Sequence, residues 1–157
     1  MLLLIRFTTA SSTSRTREIL RRKKQVPDPS YAPKDVVRTC LSALQNNDDP
    51  QLDHGACVVL EFKSPVGPLS EGGLDPSEYG RFLRSTPPYN ALIEFKSAEA
   101  VGNPEVLAGN EYTVKQCVKL KSFEDFAARS EETSFDFYLS KHKDLWLIDV
   151  ILHREML

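Results

Sequence analysis

Asp149 is the residue whose setting most invites chemistry. It interrupts an otherwise apolar run, Leu145-Trp146-Leu147-Ile148-Asp149-Val150-Ile151-Leu152. A carboxylate buried there without a partner would cost on the order of several kcal/mol. It must therefore find solvent, a partner, or a raised pKa that would fit it for work as a general base. Read as a strand, the run places Trp146, Ile148, Val150 and Leu152 on one face and Leu147, Asp149, Ile151 and His153 on the other. The structural alternative is a paired acid on an outer face or at a subunit interface. Tyr112 and Tyr138 could each set a hydroxyl in a pocket, and Trp146 could stack on a ligand as well as anchor a core. The candidate pocket residues are thus Tyr112, Tyr138, Trp146 and Asp149, with Asp149 the single catalytic candidate.

The remaining titratable residues add little. His54 is expected in the exposed first turn of a helix, and His142 in a solvated charged turn. His153 lies four positions from Asp149, too far along a strand for contact unless the chain bends. Tyr79 and Tyr89 read as core or interface aromatics, and Asp136 and Glu94 as outward-facing acids. Lys115, Lys119 and Lys121 alternate with Val114, Gln116, Val118 and Leu120, the pattern of a solvated sheet face. Cys40, Cys57 and Cys117 are widely separated among apolar residues and read as reduced core thiols. No Cys or His spacing suits a metal, and Gly72-Gly73 has no phosphate-loop or dinucleotide pattern around it, so neither metal nor cofactor is expected.

Three helices and then a run of strands must position these residues. Pro33 opens a helix with the stripe Val36, Val37, Cys40, Leu41 and Leu44, stopped by Asn46-Asn47-Asp48-Asp49. Asp49-Pro50 is expected to cap and begin a second helix, which runs through Phe62 and ends before Pro65. Asp75-Pro76-Ser77-Glu78 caps a third, whose buried side is Tyr79, Phe82 and Leu83. Strands are expected over Asn90–Val101, Glu111–Lys121, Ser134–Ser140 and Leu145–His153. Their turns are Gly102-Asn103-Pro104, Gly109-Asn110 and Lys141 to Asp144, while Ser122 to Glu132 is either a short helical stretch or a long hairpin loop. Helices followed by hairpin-linked antiparallel strands make an α+β domain, its sheet covered on one face by the helices.

The charge is divided along the chain. Seven Lys or Arg against Glu18 give residues 1–26 a charge of +6, so the rest carries −8 within a total of −2. An acidic domain is a poor nucleic-acid binder. Residues 1–30 read as a basic, Ser/Thr/Arg-rich segment and residues 31–157 as the folded domain. The apolar start, Met1 to Ile5, is too short to span a membrane. Few acids, a Ser/Thr run and several arginines form a transit-peptide composition, favouring a chloroplast address over a mitochondrial one. Arg21-Arg22-Lys23-Lys24 leaves a nuclear signal or a plain solvated tail as alternatives.

The order of elements resembles the nuclear transport factor 2-like (cystatin-like cone) superfamily. Val36-Val37, Leu41-x-x-Leu44 followed by Asn47-Asp48, Phe62-x-Ser64-Pro65, Gly67-Pro68, Arg81-Phe82 and Pro88-Tyr89 look like an uncharacterised bacterial and plant-plastid family within it. The resemblance spans about Pro33 to Leu152. It implies three helices packed on a curved, mainly four-stranded antiparallel sheet, with a pocket inside the cone and a dimer surface on the opposite sheet face. It implies no reaction, since function resides in sites rather than folds. The Asp or His sets of the superfamily's enzymes are not complete here. The expectation is a domain that binds a small apolar molecule, self-associates, or both. An isomerase or dehydratase using Asp149, and a protein–protein adaptor, are the alternatives.

Overall fold

The computed structural model describes residues 25–123 and 131–155. The import reading of residues 1–24 and most of the expected loop after Ser122 lie outside the described residues. Three helices, α1 (Pro33–Gln45), α2 (His54–Glu61) and α3 (Pro76–Ser85), precede strands β1 (Ser97–Leu107), β2 (Asn110–Lys121), β3 (Glu132–His142) and β4 (Leu145–His153). The strands form one antiparallel sheet in the order β1-β2-β3-β4. This is the expected α+β architecture.

Each helix begins where its sequence supplies acceptors for free backbone N–H groups. Asp35 accepts the N–H of Ala32 ahead of α1, and Asp75 and Glu78 exchange bonds in a capping box at α3. The stripe Val36, Val37, Cys40, Leu41 and Leu44 is buried throughout. Burial pushes the Cys40 thiol far above its ordinary range. Cys57 and Cys117 are only half-buried, and all three thiols are free.

The start of α2 corrects the sequence reading. The helix opens at His54 rather than at Pro50, and the Asp49–Pro50 peptide is cis. The cap comes instead from Asn47, nine residues before Ala56. Its Oδ1 accepts the Ala56 N–H at 3.1 Å, and its backbone carbonyl accepts the Gly55 N–H at 3.0 Å. Asn47 Nδ2 donates to Asp53, whose carboxylate also pairs with Arg84 of α3. Gly80, one turn before Arg84, leaves room for that carboxylate, because a Cβ there would collide with it. Phe82 is a second correction: it is 40% exposed, stacked on Tyr79 and tilted against Tyr89 rather than buried.

β1 starts later and runs further than its periodicity implied. Tyr89–Leu92 is a 3₁₀ turn, and Glu94, at φ 54°, donates its N–H to Leu44 O at the end of α1. The segment is tied to a helix and so cannot join the ladder until Ser97. Gly102-Asn103-Pro104 is not a turn but a bulge inside β1, opposite Gln116. The hairpin turns proper are Ala108-Gly109 and Lys143-Asp144, each with both residues at positive φ, the backbone that matches strand twist.

Antiparallel partners share a face. Val114, Gln116, Val118 and Leu120 of β2 and Phe135, Phe137 and Leu139 of β3 are buried beneath the helices. The opposite, outer face carries Lys115, Lys119 and Lys121, with Lys115 and Lys121 beside Glu105 and Glu132, as the alternation predicts.

Asn47→Ala should destabilise the protein by about 2 kcal/mol, since it leaves the buried Ala56 N–H without an acceptor. Urea unfolding checks this; an unchanged midpoint would mean that the cap contributes nothing.

Candidate functional site

Asp149 sits at a β-bulge. Tyr138 pairs with Val150 and Leu139 with Ile148, leaving Asp149 as the extra residue of β4. The alternation therefore breaks there. Ile148 and Ile151 are both buried, whereas Leu152 is exposed, so the two faces inferred from strict alternation are corrected. His153 falls on the helix side, edge-on to Phe135 at 5.6 Å, with its N–H directed to Tyr89 Oη at 3.5 Å.

The bulge meets the chain leaving α2. Ile148 N–H donates to Phe62 O at 2.7 Å and Ser64 N–H to Ile148 O at 2.8 Å, forming a short parallel bridge along β4. Asp149 Oδ1 accepts the hydroxyls of Ser64 at 2.5 Å and Ser140 at 2.6 Å. Ser64 Oγ in turn accepts the Gly67 N–H at 3.1 Å. His142 Nε2 lies 2.7 Å from Ser140 Oγ. A hydroxyl has one proton, and Ser140 gives it to Asp149, so His142 must be the donor in that contact. His142 is thus half-buried and engaged, not solvated as its charged neighbours implied. Gly67 is required at its position: a Cβ would lie 2.5 Å from the Asp149 Cα.

Every proton in this chain points toward one carboxylate oxygen. This carboxylate oxygen ties the Ser64–Ser70 loop to the sheet. The other candidates are dispersed. Tyr138 pairs with Lys115 and Val150 on the outer sheet face, and Tyr112 is 55% exposed near the first hairpin turn. Trp146 packs against the core with Lys141 Nζ 5.9 Å from its ring. Asp136 faces outward but is buried, bonded by Arg154 at 3.1 Å. Among the described residues, no group of three His, Cys, Asp or Glu could hold a metal ion.

A groove of about 310 Å³ lies elsewhere, between α1 and the β1–β2 half of the sheet. Its walls are Val37 and Leu41 of α1, Phe95, and Val118 of β2. It is open because β1 turns only Ala98 and Ala100 toward the helix, opposite Leu120 and Val118. Gln45 keeps the end in place, donating to the carbonyls of Phe95 and Lys96. Lys34 and Arg38, one helical turn apart, add two cations. Arg38 is largely exposed, with Asp35 at 3.9 Å, and Lys34 donates to Asn103 at 3.0 Å.

Gln116 completes the groove and is the residue that sequence reasoning passed over. It is fully buried. Its Nε2 donates to Cys117 O at 2.9 Å and Gly102 O at 3.3 Å, while its Oε1 has no partner among the described residues. The sequence held a signal, because Gln116 is the one amide in the apolar row Val114, Gln116, Val118 and Leu120. None of Tyr112, Tyr138, Trp146 and Asp149 lines this groove.

Asp149→Ala should cost about 3 kcal/mol by stranding two hydroxyls, and Asp149→Asn clearly less, since an amide oxygen still accepts them. Gly67→Ala should cost about 2 kcal/mol through overpacking against the β4 backbone. Thermal and urea unfolding of the three variants would show this order. Equal stabilities would remove the network's fastening role.

No protein-family model matches the sequence. No curated protein matches it either. The chain is similar to the crystal structure of an NTF-2-like protein of unknown function from Shewanella oneidensis MR-1. The match has 14% identity and a TM-score of 0.42, covering 78% of this chain and 98% of the other.

Proposed function

We propose that this protein is a non-catalytic cone-fold domain that holds a small apolar molecule in the groove between α1 and the sheet. The observation that carries the reading is the groove itself: a concavity within the size range of small-ligand sites, apolar-walled and maintained by two alanines. The enzyme reading has less support. Its base, Asp149, is outside the groove, with one oxygen already taken by Ser64 and Ser140. Ala100 lies at the exposed side of the groove, so Ala100→Trp fills it without entering the core. Saturable enhancement of anilinonaphthalene sulfonate fluorescence is expected for the native protein, lost in Ala100→Trp and retained in Asp149→Asn. Retention in Ala100→Trp would sink the groove as the site.

Self-association through the outer sheet face is a second reading, favoured by Val101 and Leu152. Both belong to the row Val101, Cys117, Asp136 and Leu152 across all four strands, and they are 42% and 44% exposed. Charged pairs on the same face limit its apolar area. Sedimentation equilibrium should show a dimer that Leu152→Lys dissociates; a monomer at all concentrations would exclude this reading.

A further inference from the structure

We infer that the free edge of β1 docks an extended segment of another chain as a fifth strand, one in which two apolar residues flank a Lys or Arg. The inference rests on the groove being a binding site and adds the kind of partner that reaches into it. The sheet ends at β4 on one side and at β1 on the other. Phe62 and Ser64 cover part of β4, but among the described residues nothing hydrogen-bonds to the free side of β1 between Ser97 and Val101. Such an edge presents unpaired N–H and C=O groups at alternate residues, which an extended backbone matches. Its usable length is short. The register with β2 is unbroken from Ser97 to Val101, and the bulge that follows is held by Lys34, which donates to Asn103.

Side chains set the partner's pattern. Ala98 and Ala100 line the groove and are both exposed, although α1 packs on that face of the sheet. The helical cover thus stops short of the edge, and an added strand would lay its inward residues beside the two alanines. Apolar residues suit those positions, because Lys34 and Arg38 on the helix side of the groove would repel an inward cation. Glu99 lies between the alanines on the outer face, where strand alternation puts it. The other acid of β1, Glu105, is paired with Lys115, whereas Glu99 is exposed and makes no ion pair among the described residues. A cation beside it on the incoming strand would form a favourable cross-strand pair. A second copy of this chain fits less well. Two β1 edges paired about Glu99 oppose like charges, and a register centred on either alanine sets alanine against alanine, leaving the groove unfilled.

The test is an NMR titration of the native protein with the blocked pentapeptide acetyl-TVKVT-amide, compared with acetyl-TVEVT-amide. At a concentration leaving about a tenth of the protein free, the first should slow hydrogen exchange about tenfold at alternate amides between Ser97 and Val101. It should also displace anilinonaphthalene sulfonate and bind about fivefold more tightly than the second, the size of one cross-strand charge pair set against a repulsion. Glu99→Lys, a change at an exposed position, should reverse that preference. Unprotected β1 amides overturn strand addition. Equal affinities for the two peptides, or a preference that Glu99→Lys leaves unchanged, overturn the choice of a cation. Edge protection without displacement of the dye overturns the groove's part in docking. Protection that rises with protein concentration and no peptide makes a second copy the occupant instead. If the peptide fails while the dye binds and Ala100→Trp abolishes its binding, the strand inference falls and the groove reading stands. If the dye also fails, the groove reading falls as well.

Discussion

The joint between the end of α2 and β4 is the constraint on which the arrangement of layers depends. β4 is the last strand of the sheet, and a bare edge strand presents unpaired N–H and C=O groups. The bridge from Phe62 and Ser64 to Ile148 covers part of that edge. It also tethers the helical layer at one end, while Gln45 and Glu94 tether α1 to the chain entering β1 at the other. The bulge at Asp149 makes the joint specific. A residue in ladder register would be fixed by its strand partner, whereas the extra one is free to aim its carboxylate at hydroxyls from two different segments.

This changes the meaning of an acid in an apolar strand. Asp149 drew notice because burial without compensation is expensive, and that argument holds. The compensation consists of two serine hydroxyls. The same reasoning applied to Gln116 gives a different answer, for its amide nitrogen is satisfied and its oxygen is not. A polar side chain whose bonds all close within the protein serves the fold. One that leaves a buried acceptor open carries a cost that the fold must offset elsewhere.

What was legible in the sequence was whatever local periodicity controls. The α1 stripe, the capping box at Asp75, the alternating lysines of β2 and the limits of β4 all follow from spacing along one element. What was not legible came from partners distant in sequence. Asp49-Pro50 has the form of a helix start, but Asn47 supplies the cap and moves the first turn to His54. Gly102-Asn103-Pro104 has the form of a turn, yet Gln116 holds the Gly102 carbonyl and keeps the bulge within its strand. The extra residue in β4 leaves no mark on composition, because a bulge shows only when the neighbouring strand is present to count against. The groove was hidden for a related reason: Ala98 and Ala100 look unremarkable until α1 lies opposite them.

The two tight hairpin turns and the neighbour-to-neighbour strand order carry a kinetic consequence. Each strand pairs with the one beside it in sequence, and the β1–β2 and β3–β4 hairpins close through short loops with modest entropy losses. The contact between Ser64 and Asp149, by contrast, joins residues 85 positions apart. In any state where the meander has assembled but this long loop has not closed, the free side of β4 lies open along Ile148, Ile151 and His153. An open, apolar strand edge is a template for another chain. The short stretch Phe62 to Ser64 thus guards solubility during assembly as well as geometry afterwards.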